Sequence, residues 1–225
     1  MIDSQVRAID VFARRYDYGY GVAHARKVAD LAMSMFDQLG DAGLMSGATR
    51  SERTTLYSAA LLHDLGVSEK AYAALPPLPY WVPDDFSGGL HNVVGFLLLR
   101  DWMDNPPPSL AVSPISSADR SHLLHCVLWH TACDTYTVPD EPLLDRSMTM
   151  KMAGILRIAE GLDVPLRNLA AGARLLTTGS WIRILVRSAA IATREVEHAQ
   201  ERSGLLAEAF GRRVFVQEVI EEVEP

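Results

Sequence analysis

"SAALLHDLGVSE", residues 58–69, sets a charged pair at the end of an apolar run. Ala59, Ala60, Leu61 and Leu62 lead straight into His63 and Asp64. An ionisable doublet buried without partners is costly, so its setting must compensate for the burial. The run reads as part of a helix over 51–66, "SERTTLYSAALLHDLG", with Ser51 as N-cap and Gly66 as a left-handed residue at its end.

The flanking sequence is helical in pattern as well. Residues 2–16 place Ile2, Val6, Ile9, Val11, Phe12 and Ala13 at three- and four-residue steps. "YDYGYG" at 16–21 interrupts them. A second helix runs from Val22 to Leu39, with Val28, Leu31, Ala32, Met35, Phe36 and Leu39 on its apolar face. Further helices are expected over 90–103, over 117–130 with Ser117 as cap, and over 145–162. Residues 72–89, "YAALPPLPYWVPDDFSGG", hold four prolines and two glycines. They read as a long loop of the sort that forms lids or pocket walls.

The character changes after Pro165. "ARLLTTGSWIRILVRS" at 173–188 predicts two strands around Thr178-Gly179-Ser180. "TREVEHAQERSGLLAEAFG" at 193–211 predicts one helix ended by Gly211, and "RVFVQEVIEEV" at 213–223 a final strand. The expected fold class is mainly α: a helical bundle over 1–167 with a small β-β-α-β appendage over 168–225.

The 225 residues carry a formal net charge of −7. That balance weighs against a nucleic-acid polymer or an anionic membrane as partner, and leaves room for a small phosphorylated substrate. Cys126 and Cys133 match neither a redox motif nor a disulfide framework and read as free thiols in a reducing compartment. The N-terminus is charged and lacks an apolar signal segment, and no window offers the ~18 apolar residues of a membrane span. A cytoplasmic location is expected.

Six of the seven histidines lie in the helical body: His24, His63, His91, His122, His125 and His130. Neutral imidazoles and carboxylates converging from several helices are what a divalent-metal site needs. "HARKV" at 24–28, "LLHDLG" at 61–66 and "ILRIAEGLD" at 155–163 resemble the metal motifs of the HD superfamily of phosphohydrolases. In that superfamily a histidine, a His-Asp doublet and a distal aspartate each sit on their own helix. Taken in order with "HNVVGFLLL", "VLWH" and the tail "LLAEAFGRRVFV", the chain resembles the C-terminal HD-like region of the exopolyphosphatase/guanosine pentaphosphate phosphatase family. The two N-terminal ATPase-like domains of that family have no counterpart here, so the chain looks like a freestanding version of the helical half.

The resemblance implies a fold, a bundle of HD type, and a ligand set. His24 and His63 would be ligands, Asp64 a ligand able to bridge two ions, and His91 and His130 ligands of a second ion. The family usually has an aspartate where this chain has Glu160. Glu160 is the preferred distal ligand by position, with Asp163 as substitute. One or two divalent ions are implied, among which Mn, Mg, Fe, Co, Ni and Zn are not distinguished. Asp64 and His63 would carry the catalysis, hydrolysis of a phosphoester by metal-activated water. Lys27 and Arg157 are candidates for substrate contact. A solvated surface competes for Lys27, and an ion pair with Glu160 for Arg157.

Other features fit neighbouring families less well. Cyclic-di-nucleotide phosphodiesterases have a lysine where this chain has Val67, and the paired acids of alarmone hydrolases are missing. His122 and His125 share a face and read as surface or supporting groups. Cys126, His130 and Cys133 lack a fourth partner for a structural zinc. Trp81, Trp102 and Trp129 read as core or pocket wall, and His198 as exposed. Three functions compete: a hydrolase, a nucleotide- or polyphosphate-sensing regulatory module, and a homodimerisation unit pairing through the tail strands.

Overall fold

The computed structural model describes residues 2–75, 91–106, 116–131, 138, 140–164, 166–188 and 190–220. Trp81, Cys133 and most of the 72–89 segment lie outside them. The fold is mostly helical with one small sheet, as the pattern predicts. Seven helices come first: α1 (Ile2–Arg15), α2 (Val22–Asp41), α3 (Arg50–Leu62), α4 (Glu69–Ala73), α5 (His91–Asp104), α6 (Ser117–Trp129) and α7 (Arg146–Gly161). Then follow β1 (Ala170–Thr177), β2 (Trp181–Ser188), α8 (Thr193–Glu201), α9 (Gly204–Phe210) and β3 (Arg213–Ile220).

Four local expectations are corrected. The cap of α3 is Thr49, not Ser51. Its side chain accepts from Glu52 N while the Glu52 carboxylate accepts from Thr49 N, a reciprocal capping box. Ser116, not Ser117, caps α6 by accepting from Asp119 N at 3.1 Å. The single tail helix is two, α8 and α9, because Ser203 bends the chain by donating its hydroxyl to Gln200 O at 2.7 Å. The appendage is therefore β-β-α-α-β. Finally, α3 stops at Leu62, and Gly66 lies in a 3-10 turn (Leu65–Val67) without a left-handed backbone. Its requirement is space: a Cβ there would stand 1.9 Å from the His91 carbonyl oxygen. The left-handed glycine at the end of α9 is Gly211, at φ 60°.

In the sheet, β1 runs antiparallel to β2, and β3 runs parallel to β2 after the α8–α9 crossover. The order is β1-β2-β3. Ile182, Ile184 and Val186 point into the core from β2. The appendage is joined to the bundle at two places. Gln38 on α2 donates to Ala173 O and accepts from Leu175 N on β1. On α7, Gly154 and Gly161 let other backbones come close: a Cβ would meet Leu206 Cα at 2.9 Å and Ala199 Cα at 2.7 Å. Helix α7 is thus covered on every side and buried from Met152 to Gly161. Trp129 is fully buried, and Trp102 stacks on Phe12 with ring centres 4.6 Å apart. Among the described residues no helix is long and apolar enough to cross a membrane.

Candidate metal centre

The site is assembled at helix ends. His63 and Asp64 follow directly on the last residue of α3, His130 follows α6, His91 opens α5, and His24 lies in the first turn of α2. An α-helix leaves its last carbonyls without intrahelical partners, and two histidines use them. The Nδ1–H of His63 donates to Ala60 O at 2.8 Å, and that of His130 donates to Val127 O at 2.6 Å. A carbonyl only accepts, so these bonds fix the tautomer and leave each Nε2 with its lone pair free. For His24 the corresponding partner is Asp163, whose Oδ2 lies 2.9 Å from His24 Nδ1.

All of these Nε2 atoms turn toward one carboxylate. Asp64 Oδ2 lies 3.2 Å from His24 Nε2 and 3.1 Å from His63 Nε2. Asp64 Oδ1 lies 3.4 Å from His91 Nε2 and 3.6 Å from His130 Nε2. Two sets of ligand atoms result, His24–His63–Asp64 and Asp64–His91–His130, each within 4.8 Å and both sharing Asp64. His91 and His130 bring their own Nε2 atoms to 3.0 Å of each other.

Buried groups normally find hydrogen-bond partners. Both Asp64 oxygens and His63 Nε2 are buried without one, and Asp64 is only 2% exposed. Lone pairs of nitrogen facing a carboxylate repel it unless a positive charge lies between them. The residues therefore fit one or two divalent cations, with nitrogen and oxygen donors suited to a borderline or hard metal. In the protein without metal, protons fill part of that role. Burial opposes the charging of His24, but Asp163 and Asp64 raise its pKa to about 9. Burial, reinforced by His130, drives His91 down to about 4. Burial alone would raise Asp64, but the surrounding imidazoles hold it well below the usual carboxylate range.

The two candidate distal acids have different settings. Asp163 holds the far side of the His24 ring, with its Oδ1 buried and unpartnered. Glu160, on α7, is buried with Oε2 unpartnered, while Oε1 lies 3.6 Å from Arg202 Nη2. Burial and then the Asp64 charge raise the Glu160 pKa.

The remaining candidates fall away from this centre. Lys27 lines a cavity of about 420 Å³ beside it, with Tyr20, His24, Arg26, Asp163 and Asn168. Arg157 is buried and donates its Nε to the carbonyl of Trp129, next to His130. His122 is buried and bonded through Nδ1 to Thr149 Oγ1, and His125 donates Nδ1–H to Ser121 O, so neither lies at the surface. His198 is half-buried, 3.6 Å from Glu201.

Two further positions escape a reading of motifs. The 16–21 turn holds Asp17, Tyr18 and Gly19 in consecutive left-handed conformations, and a Cβ on Gly19 would stand 2.0 Å from Asp64 O. Glycine there lets the turn press on the backbone of the shared carboxylate. Arg202 is the other, since nothing local marks a tail arginine as a neighbour of α7.

This is the helical, His-Asp-centred site of a metal-dependent phosphohydrolase family. The profile of the HD domain family matches residues 21–163, and the chain belongs to that family. No curated protein matches the chain significantly.

Proposed function

We propose that the chain is a phosphohydrolase acting on a small phosphorylated metabolite or nucleotide. His24, His63 and Asp64 would hold one divalent ion, and Asp64, His91 and His130 a second. Glu160 is the distal acid, and Asp163 acts through His24. The observation that carries this reading is the single Asp64 carboxylate set among four Nε2 atoms, with no hydrogen-bond partner of its own. A bound divalent ion would make water acidic enough to supply hydroxide near neutral pH and would neutralise phosphate charge. The chain's own residues set up the rest. Backbone carbonyls and Asp163 orient the imidazoles, and the packed core excludes bulk water behind them. In the reaction the water oxygen bonds to phosphorus as the bond to the leaving-group oxygen breaks, and the water proton is passed to that oxygen or to solvent. Lys27, in the neighbouring cavity, suits the substrate's outer charge. Arg157 serves the architecture of α6.

A second reading is a sensing module without turnover, related to the C-terminal region of the exopolyphosphatase family. It is favoured by Glu160, which faces Arg202 and stands outside both ligand sets. The order of motifs supports that kinship, and the cysteine usage supports a cytoplasmic protein, with homodimerisation through the tail compatible with either reading. Metal analysis of protein purified without chelator, followed by a phosphatase screen with Mn²⁺, Mg²⁺ and Co²⁺, tests the proposal. Metal-dependent turnover that is lost in Asp64→Asn supports the hydrolase. Bound metal without turnover supports the sensor, and absence of metal overturns both.

A further inference from the structure

We infer that Arg202, supplied by the appendage, is the cation that holds the phosphate of the substrate; the inference rests on the hydrolase reading. Arg202 follows α8, whose Ala199 is seated against Gly161 of α7, and this docking brings the guanidinium to Glu160.

The contact does not look like a structural tie. Three other arginines that pair with a carboxylate on a distant segment do so with two short bonds. Arg53 meets Asp37 at 2.7 and 2.7 Å, Arg120 meets Glu141 at 3.1 and 3.1 Å, and Arg167 meets Glu195 at 3.0 and 2.7 Å. Arg202 instead makes one long approach of 3.6 Å to Glu160. Its Nε is buried without a hydrogen-bond partner, while its side chain keeps 19% exposure. A guanidinium has five donors in a planar fork that matches a phosphate edge. Here the fork lies beside Glu160 with its buried Nε unpartnered.

The other nearby cations are placed differently. Arg157 is committed to the Trp129 carbonyl. Lys27 and Arg26 line the neighbouring cavity, which His24 and its partner Asp163 also line and Asp64 does not. A phosphate brought to the centre comes beside two buried carboxylates, Asp64 and Glu160, and a charge-assisted pair with Arg202 would offset their repulsion. Glu160 would hold the guanidinium in place until substrate arrives.

The test uses the full chain loaded with Mn²⁺ and inorganic phosphate as the probe. Calorimetry on Arg202→Gln is expected to show wild-type metal stoichiometry and phosphate affinity lower by about tenfold to a hundredfold. Arg202→Lys is expected to recover part of that loss, which a purely structural role would not produce. In wild-type protein, phosphate should protect Arg202 from phenylglyoxal, read by peptide mass spectrometry; this arm needs no variant to fold. Unchanged phosphate affinity in Arg202→Gln, or equal modification with and without phosphate, overturns the inference. If wild-type protein turns over substrate and either of those results is found, the inference falls alone. If wild-type protein takes up no metal, the hydrolase reading falls and the inference with it.

Discussion

His24 and Asp163 meet across 139 residues of chain through one hydrogen bond, Nδ1 to Oδ2 at 2.9 Å. The bond aims His24 Nε2 at Asp64. Partners of this kind to ligating histidines contribute about 10- to 100-fold in metal affinity. Asp163→Ala should weaken divalent-ion binding by about that factor and leave the helical circular-dichroism signal intact. Glu160→Gln should cost at least as much if Glu160 is the distal ligand. A calorimetric titration showing loss of metal only on changing Asp163 would reverse the two roles.

Sharing of Asp64 between two ligand sets predicts a graded metal count. Wild-type protein should hold two equivalents, His130→Asn one, and Asp64→Asn none, by elemental analysis after desalting. Asparagine keeps the shape of the buried side chain, so Asp64→Asn should remain folded while its turnover drops to background. Two ions retained in Asp64→Asn would refute the bridging arrangement.

Steric fit at two glycines gives a stability prediction. Gly66→Ala would place a Cβ 1.9 Å from the His91 carbonyl oxygen, and Gly19→Ala one 2.0 Å from Asp64 O at a φ of +74°. Overpacking of this kind costs about 1–3 kcal/mol or more, and each kcal/mol lowers Tm by about 2–4 °C in a chain of this size. Gly179→Ala, with open space around its Cβ position, is the control and should lie within about 0.5 kcal/mol of wild type. Equal Tm values for all three would mean the backbones are not held together as described.

For metal-free protein the histidines set a pH optimum. His24 has its pKa raised from 6.5 to about 9. Its stabilisation is therefore complete below the unfolded value and disappears as pH rises from about 6.5 through 9. His91 is lowered from 6.5 to about 4, so its contribution is present above 6.5 and is lost as pH falls toward 4. Each shift corresponds to something on the order of 3 kcal/mol. Chelator-treated protein should be most stable near pH 6.5 in a Tm series, and His24→Gln should flatten the alkaline limb. Added Mn²⁺ should shift the optimum upward, because metal replaces the proton at His24.

Much of the fold was legible because apolar periodicity and turn chemistry are local. Six of the seven bundle helices and the three strands follow from them, whereas the short α4 does not; the meeting of His24, His63, Asp64, His91 and His130 was implied by the family resemblance in motif order. What escaped depends on distant contacts or on competition between neighbours. Thr49 displaced Ser51 as cap because only Thr49 has a glutamate three residues on, and Ser51 bonds Asp119 instead. Gly66 resembled a helix end in the sequence, yet it is dictated by a carbonyl 25 positions later. The separate settings of Asp163 and Glu160, one turn apart on the same segment, come from His24 and Arg202, which no local pattern connects to them.

The docking of α8 and α9 on Gly161 and Gly154 has a consequence for biosynthesis. A chain emerging from the ribosome presents His24, His63, His91 and His130 long before Arg202 and the parallel partner of β2 exist. Until residues beyond 200 are released, α7 has one flank uncovered and Glu160 has no guanidinium beside it. Maturation of the centre is thus tied to completion of the crossover. A nascent chain stalled before residue 200 would carry His24, His63, His91 and His130 and still lack Arg202, the arginine proposed above to hold the substrate phosphate.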